Sequence, residues 1–319
     1  MMGRADTAGT RPRRRVPATV RAVIGLTVAL CVNGCVSLGG YPHVASTAAG
    51  APPAPTPSAQ PIGAPGRMAA APGAPGFHLI FTDHFATNVP LGAFTDCNHN
   101  TGQSSAFCGG LAPYPGVEAS WWAYPAGWPD TATQRGYPVG GYYDPATTVW
   151  ISGGEMHIRM WRGSSGSVHS AAVVPKAAMG MRYGAYTETF RVSSVARGYK
   201  SAHLLWPSGT CNGCEIDFPE DSWDTTISAF NHPKGGGAQD AFDNGTRWTG
   251  WHTTTIQWTP GDVKFFLDGS LMGESTHGVM DSPASWIIQN ESSIDGESAA
   301  LNSSAQMDIS SVSVYSYGP

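Results

Sequence analysis

From residue 77 onward the chain repeats one pattern. Short runs alternate large apolar with polar side chains and are cut by clusters of Gly, Pro, Asn and Asp. Alternation with period two is the signature of a half-buried strand, so strands are predicted at 77–85, 149–161, 184–192, 201–206 and 215–220. Further strands are predicted at 225–230, 252–258, 263–267, 285–291 and 307–315. Ile309, Val312, Val314 and Tyr317 mark the last of these, with a bulge near Ser310-Ser311. Leu267-Asp268-Gly269-Ser270 reads as a hairpin turn. No stretch beyond the N-terminus sustains a 3.6-residue apolar period. The pattern therefore predicts an all-β domain, a two-sheet antiparallel β-jelly roll sandwich.

The first 76 residues follow other rules. Arg11, Arg13, Arg14, Arg15 and Arg21 precede an apolar run over 22–32, too short for a comfortable membrane span. The run ends at Val32-Asn33-Gly34-Cys35, similar to a bacterial lipoprotein processing site with Cys35 as the acylated residue. Residues 1–35 are thus read as an export signal and 36–76, rich in Ala, Pro and Gly, as an extended tether. The folded domain is 77–319, exported to the extracellular space or cell envelope and joined to a membrane only through its N-terminal anchor. Four cysteines remain in it, Cys97, Cys108, Cys211 and Cys214, an even number that suggests disulfides in an exported protein. The most local pairing is Cys97 with Cys108 and Cys211 with Cys214, one of three connectivities. Neither a redox dithiol nor a zinc site has the surrounding pattern it needs.

Composition narrows the function. Charged residues are 13% of the 319, with 40 Gly, 25 Pro and 11 each of Trp, Tyr and Phe. A net charge of -5 and the lack of a basic patch within the domain exclude a nucleic-acid partner. Against this sparse background Glu215-Ile216-Asp217-Phe218-Pro219-Glu220 stands out. Alternation puts Glu215 and Asp217 on one face and Glu220 on the other. Proline cannot donate to a sheet ladder, and a one-residue bulge at Phe218-Pro219 would return Glu220 to the face of the first two. Three carboxylates on one face are costly unless chemistry uses them. Retaining glycoside hydrolysis does, with one carboxylate attacking the anomeric carbon and a protonated one serving the leaving oxygen. The backbones of Glu215 and Glu220 would stand about 13 Å apart, so their side chains must lean together over Asp217. The competing reading is a solvated acidic strand, since the spacing alone arises by chance in roughly one chain in fifteen of this length.

Context favours the chemistry. The run resembles the bulged Glu-x-Asp-x-x-Glu signature of glycoside hydrolase family 16, the family of laminarinases and related β-glucanases. Leu79-Ile80-Phe81-Thr82-Asp83-His84-Phe85 is similar to that family's opening strand, with His84 where an acid is usual. Arg182-Tyr183-Gly184-Ala185-Tyr186-Thr187-Glu188 is similar to its Tyr-Gly strand. Trp251-His252, Trp258-Thr259-Pro260 and Phe265-Phe266-Leu267-Asp268-Gly269 are similar to its late hairpin. The resemblance implies a concanavalin-like jelly roll with a concave cleft. It also implies retaining endo-hydrolysis of a β-1,3- or mixed-linkage glucan, without an organic cofactor. It makes Glu215 the nucleophile, Asp217 its assistant and Glu220 the acid/base. Two segments depart from the family, Cys211-Asn212-Gly213-Cys214 and Trp286-Ile287-Ile288-Gln289-Asn290-Glu291.

Sugar rings have apolar faces, so exposed aromatics make natural platforms. Trp206, Trp223 and Trp251 are candidates to line the cleft, and Trp121, Trp122 and Trp128 to wall it. Trp258 is assigned to the core. His232 is placed to bond sugar or the acid/base, and Gln289 and Glu291 to reach hydroxyls. The acidic run lacks the spacing of a calcium loop, which leaves room for a structural Ca²⁺ only at an unlocated position. The protein is read as a monomer whose partner is a polysaccharide. A lectin-like binding protein on the same fold and a wall-remodelling transglycosylase are the rival functions.

Overall fold

The computed structural model describes residues 74–99, 106–164, 166–294 and 298–318. The export segment, Cys35 and the tether through residue 73 lie outside them. In chain order the strands are β1 (Phe77–Asp83), β2 (Cys97–Asn98), β3 (Phe107–Cys108), β4 (Trp121–Ala123), β5 (Gly141–Tyr143) and β6 (Val149–Ser152). They continue with β7 (Glu155–Arg162), β8 (Val168–Pro175), β9 (Gly184–Ser194), β10 (Tyr199–Pro207), β11 (Glu215–Ser222) and β12 (Thr226–His232). The last are β13 (Asp240–Arg247), β14 (His252–Thr259), β15 (Asp262–Leu267), β16 (Ser270–Ser275), β17 (Ala284–Ser292) and β18 (Ser303–Tyr317). Three short helices interrupt them: α1 (Pro115–Ser120), α2 (Thr131–Gln134) and α3 (Pro145–Thr148). Among the described residues, none is long and apolar enough to cross a membrane.

One sheet runs β13-β12-β11-β10-β17-β8, with β4 added to β8. The other runs β7-β18-β9-β14-β15-β16, with β1 on β18 and β6 on β7. They meet at a corner where Trp161 and Arg162 of β7 pair with His169 and Val168 of β8. Pairing is antiparallel except between β5 and β8. Between the sheets large side chains meet. Tyr186 of β9 lies 5.6 Å from Trp286 of β17, and Phe218 of β11 lies 5.6 Å edge-on to Phe265 of β15. Fully burying one such ring contributes about 2–3 kcal/mol. A buried polar pair also spans the core, His203 Nδ1 standing 2.6 Å from Glu188 Oε1. This is the predicted all-β jelly roll.

The predicted alternation is found where the turns are strong. Asp268 and Gly269 both take positive φ, 50° and 84°, which is the hairpin turn read from the sequence. The bulge in β18 falls at Ser310, where Ile309 pairs with Phe190 and Ser311 with the adjacent Thr189. One expectation is corrected: 149–161 is two strands. Gly153 and Gly154 take φ of 63° and 83° and fold β6 back on β7, a conformation open to glycine without Cβ strain. Both local cysteine pairs are joined, Cys97 to Cys108 across β2 and β3, and Cys211 to Cys214. The second closes the turn directly ahead of β11, so the acidic strand starts from a tied loop.

Candidate active site

The bulge in β11 builds the site. On one side, Ala202 and Leu204 of β10 face Glu220 and Asp217, so two steps on β10 match three on β11. On the other, Ser228 and Phe230 of β12 face the same two acids. The extra residue lies in Phe218-Pro219, whose peptide bond is cis. Ile216 and Phe218 point into the core, both nearly free of solvent contact. Glu215, Asp217 and, after the extra residue, Glu220 therefore share the face turned away from the core.

That face is not open to bulk water. Asp217, Lys200, Glu291 and Trp122 all lie on it by strand alternation, yet all are buried. The 121–143 stretch walls it. Trp122, Tyr124, Trp128 and Tyr143 pack on one another with ring centroids 5.1–6.4 Å apart. Burial first, then the charges of Glu215 and Glu291, push the ionisation of the Tyr124 hydroxyl far up. Asp130 ties this wall to the sheet. Its carboxylate caps α2 by accepting from Thr133 N at 2.9 Å, and also accepts from Gly141 N at 2.9 Å and Ser292 N at 3.0 Å. A Cβ on Gly141 would stand 2.5 Å from Asp130 Oδ2, so the clasp requires glycine there. The first turn of α2 also holds Glu291, whose Oε2 accepts from Thr131 N at 3.1 Å.

Carboxyl oxygens of Glu215 and Asp217 and a ring nitrogen of His232 all lie within 4.8 Å of one another. His232 pairs with Glu215 across the ladder, and its Nε2 is 3.0 Å from Asp217 Oδ2. Burial first, then the charge of Asp217, pushes the Glu215 carboxyl well above its ordinary range. Burial and the charge of Glu220 do the same to Asp217. Two acids this close in a water-poor site cannot both ionise freely. Glu220 has a different partner: Lys200 Nζ donates to its Oε1 at 2.8 Å. Burial also raises Glu291, and the Lys200 ammonium works against that rise.

The sequence candidates separate cleanly. Glu215, Asp217, Glu220, His232, Gln289 and Glu291 come together on the walled face, Gln289 facing Ala202 and thus lying in the row of Glu220. Trp206 falls on the same face, half-buried near the end of β10. His232 contacts the middle acid, Asp217, rather than Glu220. Trp223 is not in the cleft: its ring is buried and its Nε1 donates to Ser201 Oγ at 2.8 Å, on the core side of β10. Trp251 is not there either. It lies 38% exposed on the outer side of the opposite sheet, under the Arg191 guanidinium at 4.6 Å. Both lie near the acidic motif or on loops beside it in the sequence, but the turns carry them to other faces. Trp121 is core and Trp258 is core, the latter donating to Met280 O. Trp122 and Trp128 do belong to the wall.

Lys200, Tyr124 and Asp130 were missed by the sequence reading. Lys200 had a readable signal, since it stands two residues before Ala202 and so on its face. The predicted strand began two residues too late, at 201 instead of 199. A second cluster able to hold a cation is Glu155, His157 and Asp308 on the outer face of the other sheet. Arg191 already lies against both of its acids.

No family model matches the sequence, and no curated protein matches it. Solved structures do. The catalytic domain of an endo-1,3-beta-glucanase (laminarinase) from Thermotoga petrophila superposes with a TM-score of 0.55 at 15% identity, covering 76% of this chain and 99% of that one. The laminarinase from Rhodothermus marinus gives 0.55 at 19%, covering 76% and 98%. SCLam, a non-specific endo-beta-1,3(4)-glucanase from family GH16, gives 0.56 at 15%, covering 77% and 93%. The chain has the fold of these family 16 glucanases.

Proposed function

We propose that the chain is a member of glycoside hydrolase family 16, a retaining endo-β-glucanase acting on a β-1,3- or mixed-linkage glucan. The observation that carries this reading is the bulge. It gathers Glu215, Asp217 and Glu220 on one walled face, with the carboxyls of the first two pushed up and an ion pair on the third.

The chemistry follows from those environments. In its protonated form the Asp217 carboxyl donates toward Glu215 and steadies the carboxylate that attacks the anomeric carbon. As the Glu215–carbon bond forms, the glycosidic C–O bond breaks and Glu220 gives its proton to the leaving oxygen. Water then attacks the glycosyl-enzyme, its proton returns to Glu220 and Glu215 leaves as carboxylate. Trp122, Tyr124 and Trp128 offer ring faces to the sugar, and Gln289 reaches a hydroxyl. The fold and both disulfides fit an exported protein. The export signal at 1–35, acylation at Cys35, the 36–76 tether and a monomeric state complete the proposal.

The test is turnover on a panel of polysaccharides with the anomeric configuration of new ends followed by NMR. Retained configuration on a β-1,3- or mixed-linkage glucan is the expected result. Inverted product would rule out Glu215 as nucleophile. Binding without turnover would point to a lectin-like protein, and transfer to acceptor sugars in place of hydrolysis to a transglycosylase.

A further inference from the structure

Lys200 is the buried charge that the chemistry above leaves without a task. Its side chain is 3% exposed, against 18% for Glu220, and it pairs across the ladder with Glu291 on β17 and Ser222 on β11. Desolvating an ammonium is costly, and a chain needing only a strand residue would not place one there. An ammonium has donors and no acceptor. Glu220 Oε1, 2.8 Å from Nζ, must therefore accept, whatever the protonation of the carboxyl. A proton on Oε1 would weaken that bond, so the acid proton of Glu220 is favoured on Oε2.

We propose that Lys200 is a positioning residue that fixes which oxygen of Glu220 donates and recovers the proton during glycosidic cleavage. The proposal rests on Glu220 being the acid/base. In the first step Oε2–H breaks as the proton passes to the leaving oxygen. The carboxylate so formed is already paired through Oε1, so it does not turn away. In the second step the same Oε2 takes a proton from the attacking water. Charges facing this pair are Asp217 and Asp221 on β11 and Glu291 on β17, with Glu215 and His232 one position further. Among them the ammonium is the one permanent cation beside Glu220.

The experiment compares wild type, K200M, K200R and E220Q on the best polysaccharide and on an aryl glycoside of the same glycan. The aryl leaving group is activated and needs no acid. K200M should lose about 10–100-fold in kcat/KM on the polysaccharide, a share of the 10²–10⁴ a general acid supplies. On the aryl glycoside the loss should be under about threefold, with KM little changed. The alkaline limb of kcat/KM should move to higher pH in K200M, because removing the cation favours the protonated carboxyl. K200R should restore most of the rate. Equal losses on both substrates with an unmoved limb would reduce Lys200 to a structural residue, and full activity of K200M would overturn the proposal outright. E220Q separates the two levels: full polysaccharide activity there would overturn the acid/base reading itself. Carbon-13 NMR titration of the Glu220 carboxyl in folded K200M or K200Q needs no turnover, and an unchanged titration would also overturn the proposal.

Discussion

Each sheet carries a group of acids on the face turned away from the core, and the two groups are built on opposite electrostatic plans. On the outer face of β7, β18 and β9, Asp308 meets His157 Nδ1 at 2.7 Å and Arg191 Nε at 3.1 Å. Burial would raise its carboxyl, but hydrogen bonds from His157, Gln306 and Ser193 outweigh this and hold it at about 2. On the walled face of β11 and β17, Glu215, Asp217, Glu220 and Glu291 share one ammonium and one imidazole. There burial and mutual repulsion win, and Glu215, Asp217 and Glu291 are all pushed up. The first arrangement stabilises the fold. The second stores unfavourable charge where a reaction can use it. Even the outer cluster shows the rule in miniature, since Glu155, beside Asp308, is raised by burial and by that neighbour.

Substitutions should therefore act in opposite senses in the two clusters. The largest effect is on rate. E220Q should lower kcat/KM on the polysaccharide by about 10²–10⁴-fold and E215Q by at least as much, with circular dichroism unchanged. An E215Q enzyme with wild-type turnover would remove the distinction between the clusters. D308N should do the reverse, leaving kcat/KM within about twofold and destabilising the domain by about 2 kcal/mol at pH 7, from a fall of the carboxyl from 3.8 to about 2. The sign follows from linkage. A depressed carboxyl contributes stability above its unfolded value, and that contribution is lost as pH drops from about 4 through 2. Urea melts of wild type and D308N should converge across that window, and parallel curves would show that Asp308 is not the group responsible.

How far this contrast could be read from sequence depends on how local each signal is. The walled cluster was legible because Glu215, Asp217 and Glu220 lie on one strand and the bulge that joins them is signalled by Pro219. The outer cluster was not, because Glu155, His157, Arg191 and Asp308 come from three strands whose register is set over long separations, 151 residues between His157 and Asp308. Lys200, only 20 residues from Glu220 on the neighbouring strand, was lost to a different cause, a predicted strand that started after it. Turns with glycine at positive φ, as at Asp268-Gly269, were legible, while Gly153-Gly154 inside an apolar run was read through as strand. The tryptophans were the poorest signal. Side-chain type says that a ring will be covered, but only the turn geometry decides whether it joins the core or the wall of the acidic face, as Trp223 and Trp122 show.

The smallest effect is the one that tests the contrast most directly. If the walled acids are held against their preference, neutralising one should stabilise the domain while abolishing its activity. Glu215 has a raised carboxyl in the fold, so the folded state favours its protonated form. That preference is fully satisfied below the unfolded value, near 4.3, and becomes a growing cost as pH rises above it. Glutamine keeps the shape and removes the ionisation. E215Q should thus melt higher than wild type at pH 7, by on the order of 1 kcal/mol, and the gain should vanish near pH 4. D217N should behave alike, since either change leaves its neighbour without a repelling charge. Thermal melts at the two pH values decide it. A gain that persists unchanged at pH 4 would mean better packing rather than relief of charge. A loss at pH 7 would mean that Lys200 and His232 already compensate the walled acids as fully as Arg191 and His157 compensate Asp308.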